Sequence, residues 1–536
     1  MWGSLDLMDA QQAHDLEKSY DEVPYESLPY PETHPANTAM VARLFGLTPA
    51  DFRNARVLEL GCSGGGNLAP LALNYPSSRC IGIDFSQEAI NEANALKNFA
   101  QLQNVEFLRQ DILAFDIAKH RESFDYIISH GVFSWVPHAV SAKILEICGA
   151  CLKQDGLAVI SYNALPGWNA VRSIRDMLMH HAADFKTPQE KILRCREFLD
   201  FLAENAATTG GYRTSVLEER NLLKDLGDFY FFHDHMSGEN SPFYFRDFMR
   251  MARQQQLAYV GEAILPNMFF DNQAPEVVKM LRTFDDIVEQ EQYLDYVRNR
   301  RFRSTILCKS ARKLKRNISG SQVLDFYLTA NMTPKDHTDP AQPVTFVNGA
   351  SQFVSANPYD SALFLELIAC GQKPVAAKEL FARTQKRLNL PDPQPLRDAL
   401  AKGALSLVTR GFITLHADSP SCAVRLDEKP VVSPIARYQA KKKGAKQATN
   451  LLGKGIATGP VVNVFLPLFD GSRSVQQVAG AFADMLRRGT VLDRDGKRIS
   501  GEKSIQAETR KVMDEIVPML LQNCFFMAGV GSQRAA

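Results

Sequence analysis

Short apolar runs alternate with longer amphipathic stretches between Arg56 and Tyr162. Arg56–Leu60 (RVLEL), Arg79–Phe85 (RCIGIDF), Val105–Arg109, Phe124–Ser129 and Leu157–Tyr162 have the length and composition of strands. The segments between them carry helical spacing: about Asn67 to Tyr75, a stretch opened by Ser86 as N-cap and running to about Ala100, and about Val140 to Leu152. Strand–helix alternation predicts βαβ units, and therefore a parallel sheet covered on both faces.

Upstream, Ser19–Pro35 (SYDEVPYESLPYPETHP) is interrupted by four prolines and cannot be a long helix; a short one is expected from Thr38 to Leu44. Past Pro166 the alternation stops. Helices are expected at Trp168–Phe185, Pro188–Glu204 and Val216–Leu226, then a loop with His233 and His235, then a helix at Tyr244–Gln255. Ala258–Ile264 and Ser304–Cys308 are strand-like. Residues 166–256 therefore read as a helical insertion, and 257–310 as the last strands completing the sheet. In 311–429, helices near Ser361–Cys370, Ala376–Leu388 and Pro395–Lys402 precede two β-prone stretches, Leu405–Thr409 and Phe412–Leu415. Three helices and a hairpin suggest a winged-helix-like module. A last module, 430–536, has a hairpin signal at Asp495–Gly496. The run KKKGAK at Lys441–Lys446 reads as a solvated linker. No internal repeat is evident.

The length of 536 residues predicts several domains, and 45% apolar with 23% charged residues suits a globular chain. Sixty-one basic residues against sixty acidic leave a net charge of +1, so no global field favours nucleic acid. No apolar run approaches the roughly 20 residues that span a bilayer, and no leader pattern opens the chain. Nine cysteines without framework spacing fit reduced thiols, and the expected location is the cytoplasm. Cys148 and Cys151 form a CxxC without a second pair and read as core thiols. His233 and His235 lack a partner at ligand spacing, so no metal is expected.

The chemistry concentrates at three strand ends. Val57–Asn67 (VLELGCSGGGN) runs from strand through a glycine-rich loop into a helix. Gly61 and Gly65 permit a sharp turn and close approach of a ligand to the main chain. Such a loop alone also suits a dinucleotide, and Gly61-x-Ser63-x-x-Gly66 is close to that fingerprint. Glu59, two residues before Gly61, favours a cofactor with a cationic tail over a pyrophosphate. Asp84, followed by Phe85, ends the second strand and can accept from both ribose hydroxyls, as in nicotinamide enzymes also. Asp111 follows the third strand and can accept from an adenine amino group while Ile112 packs on the ring. Neighbouring strands of a parallel sheet bring these tips together at the carboxyl edge.

Residues 56–163 resemble a class I S-adenosylmethionine-dependent methyltransferase core. Glu59, Gly61 and Gly65 match its first motif, Asp84 its ribose acid, and Asp111–Ile112 its adenine pair. Ser63 stands where the family commonly has Gly. SYDEVPYESLPY from Ser19, SHGVFSWVP (Ser129–Pro137), SYNALPGW (Ser161–Trp168) and EQYLDYVRNRRFRSTILC (Glu291–Cys308) resemble bacterial methyltransferases with a methyltransferase regulatory domain. Some of these are similar to rickettsial protein-lysine methyltransferases. The resemblance implies an α/β fold with a Rossmann-like seven-stranded sheet, S-adenosyl-L-methionine as cofactor, a protein acceptor such as lysine, and, for some relatives, a homodimer.

Methyl transfer from a sulfonium is an in-line displacement, so the protein supplies alignment and exclusion of water. An amine acceptor, with a free pKa of roughly 10.4, must lose its proton first. His130, Phe133, Trp135, Tyr162 and Asn163 follow the fourth and fifth strands and are candidates for an acceptor pocket. Tyr20, Tyr25 and Tyr30 are candidates for a lid. Competing assignments are a small-molecule methyltransferase, a cofactor-binding scaffold without turnover, and a nicotinamide-dependent oxidoreductase.

Overall fold

The computed structural model describes residues 26–209, 211–492 and 497–529. Tyr20, Tyr25 and the Asp495–Gly496 turn lie outside them.

Helix α1 (Pro35–Leu44) leads into β1 (Arg56–Leu60), α2 (Leu68–Asn74), β2 (Arg79–Asp84), α3 (Gln87–Phe99) and β3 (Val105–Arg109). Then come β4 (Phe124–Ser129), α4 (His138–Cys151) and β5 (Leu152–Asn163). Every residue of β4 is buried, as expected where helices cover both faces of a parallel sheet. Ser86 caps α3 as its side chain predicts, its hydroxyl accepting from the Ala89 N–H at 3.1 Å. Cys148 and Cys151 are buried core thiols.

The chain then leaves the sheet through α5 (Trp168–Ala182), α6 (Pro188–Asn205), α7 (Tyr212–Asp225), α8 (Asp228–Met236) and α9 (Phe245–Gln254). Ile174, Leu178, Cys195, Leu199, Val216 and Phe231 give the insertion its own core. It returns with β6 (Leu257–Glu262), α10 (Pro275–Leu281), α11 (Ile287–Arg298) and β7 (Phe302–Lys309). The sheet order is β3-β2-β1-β4-β5-β7-β6, with β7 antiparallel to both neighbours. The late strands thus complete a seven-stranded class I methyltransferase sheet.

Arg303 of β7, fully buried, lies under this return. It pairs with Asp295 at 2.8 Å, Glu262 at 2.6 Å and Glu291 at 2.9 Å. Arg300 joins through Asp295 at 2.7 Å. The Phe245 ring stacks 3.9 Å from the Arg303 guanidinium.

Beyond the sheet come β8 (Tyr327–Ala330), β9 (Thr333–Pro334), β10 (Val344–Asn348), β11 (Ser351–Ser355), α12 (Pro358–Ala369), β12 (Val375–Ala376), α13 (Ala377–Leu388), α14 (Gln394–Thr409) and β13 (Ile413–His416). The expected strand at Leu405–Thr409 is helical. Leu396, Ala399, Leu400, Ala404, Leu407 and Val408 are buried at helical spacing and carry α14 through it. The expected hairpin is therefore absent here: β13 pairs with β8, upstream of all three helices. The last module holds α15 (Pro434–Gln439), β14 (Gln447–Thr449), β15 (Gly455–Ala457), α16 (Pro460–Phe465), α17 (Val475–Arg488) and α18 (Glu502–Gln522) around Phe465, Phe482 and Val512.

Two further expectations are corrected. His233 and His235 lie on a helix, α8, because Phe231 and His235 one turn apart both find buried partners. The lysine run is exposed, as a solvated segment should be, but it is no free linker: the Lys441 ammonium sits 4.6 Å from the Phe99 ring centroid, and Lys442 pairs with Glu92 of α3.

Candidate active site

A cavity of about 1540 Å³ opens at the carboxyl ends of β1–β5, between the sheet and the helical insertion. Glu59, Asp84 and Asp111 line it together, so the three acidic strand ends converge on one space. Gly61, Ser63, Phe85, Ile112, His130, Trp135 and Asn163 also line it.

The loop after β1 is clipped to β2, its Gly61 and Cys62 N–H groups donating to the Ile83 carbonyl at 2.9 and 3.0 Å. Gly61 has φ +79°, and a Cβ there would come within 2.4 Å of Val132 Cγ2, so two constraints demand glycine. Ser63, at φ 46°, adopts the left-handed conformation for which glycine is the usual choice. Gly65 does not face the cavity. A Cβ there would meet the Phe107 ring at 2.7 Å, so this glycine serves the packing of the loop on the sheet.

Each acid has distinct surroundings. Asp84 accepts from the Ser63 N–H at 2.9 Å and the Ser86 N–H at 3.0 Å. Burial raises its pKa, and those N–H groups with that of Phe85 oppose the rise. Asp111 accepts from the Leu113 N–H at 2.9 Å, capping a short turn that presents Ile112 to the cavity. Glu59 is 3% exposed. One of its carboxylate oxygens accepts from Asn67 Nδ2 at 2.7 Å; the other is buried without a partner. Burial pushes Glu59 up to about 8; the Asn67 bond opposes this and the nearby Asp84 adds to it. An orphaned, desolvated carboxylate is costly unless a cation meets it, which fits a cofactor with a cationic amino-acid tail.

Asn67 ends the glycine-rich motif, but its contacts are tertiary and no spacing rule announces them. Its Nδ2 also reaches Thr33 Oγ1 at 3.0 Å, and its Oδ1 accepts from the Tyr30 N–H at 2.9 Å. The Gly66 N–H donates to Ser27 Oγ at 2.8 Å. The arm is thereby pinned over the loop, and Ser27 and Tyr30 line the cavity. A Cβ on Gly66 would lie 2.3 Å from the Ser27 carbonyl oxygen. Gly66→Ala is therefore expected to detach the arm, read as faster limited proteolysis before residue 35 with the core intact.

The far wall is aromatic. The His130 ring lies 3.9 Å from Tyr30, centroid to centroid, and edge-on to Phe302 at 6.0 Å. Its Nδ1 is buried without a partner, and burial lowers its pKa to about 4, so the imidazole is neutral at physiological pH. Trp135 meets Trp168 edge-to-face at 5.9 Å. Tyr162 is not part of this wall: it is 1% exposed, stacks on Phe248 at 4.2 Å and shares a hydrogen bond with Thr305. Side chains alternate along a strand, so Asn163 takes the cavity side and Tyr162 the opposite one. Phe133 is likewise in the core.

The insertion supplies residues absent from the expected pocket: Trp168, Tyr230, His233 and Asp234, with Arg301 just before β7 and Phe302 at its start. Arg301 pairs with Glu219 of α7, which also bonds His235 Nε2 at 2.7 Å. Among the described residues, no group of three or more His, Cys, Asp or Glu could hold a metal. No helix there is long and apolar enough to cross a membrane.

Three family models match the chain: a methyltransferase domain over residues 51–218, a predicted methyltransferase regulatory domain over 227–309, and the "PKMT, C-terminal winged helix domain" over 428–525. The winged-helix match thus falls on the last module. An uncharacterised protein of Rickettsia prowazekii, RP789, is 34% identical over 519 residues, 95% of this chain and 93% of that one. A second R. prowazekii protein, RP028, is 36% identical over 44% of this chain and 94% of its own. The structure of PKMT2 from Rickettsia typhi in complex with AdoHcy superposes with a TM-score of 0.85 at 28% identity. It covers 94% of this chain and 100% of that one. Converging strand-end acids, the seven-stranded sheet and these likenesses agree: the chain belongs to the class I S-adenosylmethionine-dependent methyltransferases that carry a methyltransferase regulatory domain.

Proposed function

We propose that this methyltransferase acts on the side-chain amine of lysine in a protein. The observation carrying this is the acidity of the cavity: eight carboxyl groups line it against three basic side chains, Arg109, Arg301 and Lys442, an excess of acids that holds even with Glu59 and Asp234 partly protonated. Such a surface attracts a cationic acceptor. The cavity also exceeds the roughly 300–1,000 Å³ of an ordinary small-ligand pocket, leaving room for an acceptor chain beside the cofactor. The winged-helix match and the likeness to PKMT2 support a protein acceptor.

In this scheme Glu59 meets the cofactor's ammonium, Asp84 the ribose hydroxyls, and Asp111 with Ile112 the adenine. The bound cofactor supplies an electrophilic methyl group. Tyr30, His130, Trp135 and Trp168 exclude water from the acceptor nitrogen, and desolvation disfavours its protonated form. His130, held neutral by burial, lines the same wall without adding a positive charge that would repel the acceptor.

Asp84→Ala is expected to weaken AdoHcy binding by ~1–3 kcal/mol through lost charge-assisted hydrogen bonds, measurable by calorimetry. The acceptor assignment is tested by incubating the protein with methyl-labelled cofactor and cell lysate, followed by peptide mass spectrometry. Methyl additions on lysines are expected; label confined to small molecules would remove the assignment.

A further inference from the structure

The cavity carboxylates divide by position. Glu59, Asp84 and Asp111 stand at the strand tips; Glu26 and Glu32 on the N-terminal arm; Glu88 and Glu92 on α3, where Glu92 already holds Lys442. One remains on the insertion wall: Asp234 of α8.

Helical spacing explains how it gets there. Tyr230, His233 and Asp234 stand at i, i+3 and i+4 on α8 and share one face, and all three line the cavity. The opposite face carries Phe231 into the insertion core and His235 onto Glu219. Arg175 fixes the C-terminal end of α8 by donating to the carbonyls of Asp234 and Ser237, the latter at 2.7 Å. That guanidinium hydrogen-bonds to the Asp234 backbone and acts on the carboxylate only through space. Among the described residues, the Asp234 carboxylate makes no hydrogen bond and no ion pair. A half-buried carboxylate that faces a cavity with no hydrogen bond or ion pair is poised for a cation arriving from outside. Tyr230 beside it gives that cation an aromatic neighbour.

Resting on the lysine assignment above, we propose that Asp234 is the acceptor-binding residue of this methyltransferase, its carboxylate holding the cationic nitrogen of the incoming lysine side chain on entry, before that nitrogen loses its proton and accepts the methyl group. Burial holds the Asp234 carboxyl up at about 7, with Arg175 opposing the rise and Glu219 adding to it. A bound ammonium favours the ionised form, as Arg175 does.

The test uses the full-length protein saturated with AdoHcy, with n-butylammonium and an acetylated, amidated Ala-Lys-Ala peptide as probes. Trp135 and Trp168 line the cavity and report binding through their fluorescence. Saturable binding of both probes to the wild type is expected. Asp234→Asn is expected to weaken it about tenfold or more while leaving AdoHcy affinity within about twofold. Equal probe affinity in the wild type and Asp234→Asn overturns the role of Asp234 and leaves the lysine assignment standing. Failure of both probes to bind the wild type overturns the lysine assignment, and the role of Asp234 with it. If Asp234→Asn has also lost AdoHcy, Asp234→Glu and Asp234→Ser are compared. Tighter probe binding by the Glu variant supports the proposal, and equal binding overturns it.

Discussion

Arg303→Met is expected to destabilise the fold by ~3–5 kcal/mol or more, because it removes one partner from a buried ionic cluster and leaves the rest. Glu262, Glu291 and Asp295 lie 1%, 2% and 0% exposed around that guanidinium. Without it, Arg300 still pairs with Glu262 and Asp295, and Arg298 and Arg316 act from farther off. The cluster bonds β7 to β6 and α11, so the loss falls on the strands that finish the sheet. Even with the arginine present, burial pushes Glu291 up to about 7 against the pull of Arg303 and Arg300. In the variant Glu291 and Asp295, already raised by burial, lose the opposing pull of Arg303 and rise further above their unfolded-chain values. The folded state then binds more protons, and its stability falls as pH rises. Denaturant unfolding at pH 5 and pH 8 should therefore show the smaller deficit at pH 5. Arg303→Met combined with Glu262→Gln should recover part of the loss, whereas a purely packing role for Arg303 predicts no recovery.

Glu59→Gln is expected to make the cofactor-free protein more stable and the cofactor bind less tightly. The carboxyl lies near 4.5 in an unfolded chain and at about 8 in the folded one. Between those values the folded state holds a proton that the unfolded chain has released, so this group's contribution to stability declines as pH rises through that window. At pH 8 the buried carboxylate costs a few kcal/mol, the shift converted at ~1.36 kcal/mol per unit. The neutral amide of the variant carries no such cost, and thermal unfolding at pH 8 should show a higher midpoint. Binding moves the other way. Below pH 8, pairing with an ammonium ionises Glu59 and releases a proton, so AdoHcy affinity should rise with pH toward 8. Calorimetry in buffers of different ionisation enthalpy should detect that proton for the wild type and none for the variant. The variant should also lose ~1–3 kcal/mol of binding. Unchanged affinity with unchanged proton release would falsify the assigned role of Glu59.

The sheet was legible because its signal is local. Arg56–Leu60, Val105–Arg109 and Phe124–Ser129 form strands with the bounds their apolar runs suggest, and strand adjacency then dictates that Glu59, Asp84 and Asp111 meet. The acceptor side was less legible because long-range packing builds it. Asn163 and Tyr162 are neighbours in sequence, yet the pleat sends one to the cavity and the other to the core. Asp234 sits in a segment whose short run, FHDH, gives little helical periodicity; its helix is recognisable only once Phe231 and His235 have partners. The lysine run looks like a linker until Phe99 and Glu92 of α3 come into view. Leu405–Thr409 has strand-like composition, but its burial continues the period of the helix before it.

The path of the chain through the sheet carries a cost during synthesis. Strand β5 ends at Asn163, and its partner β7 begins at Phe302, about 140 residues later. At ~5–20 residues per second, a ribosome needs on the order of ten seconds to supply that partner. Throughout that interval one side of an apolar strand has no backbone partner, which is the kind of edge that invites association between nascent chains. Expression at low temperature lengthens the wait, so the soluble yield of this protein should depend on holdase chaperones more than its finished sheet, with β5 paired on both sides, would suggest.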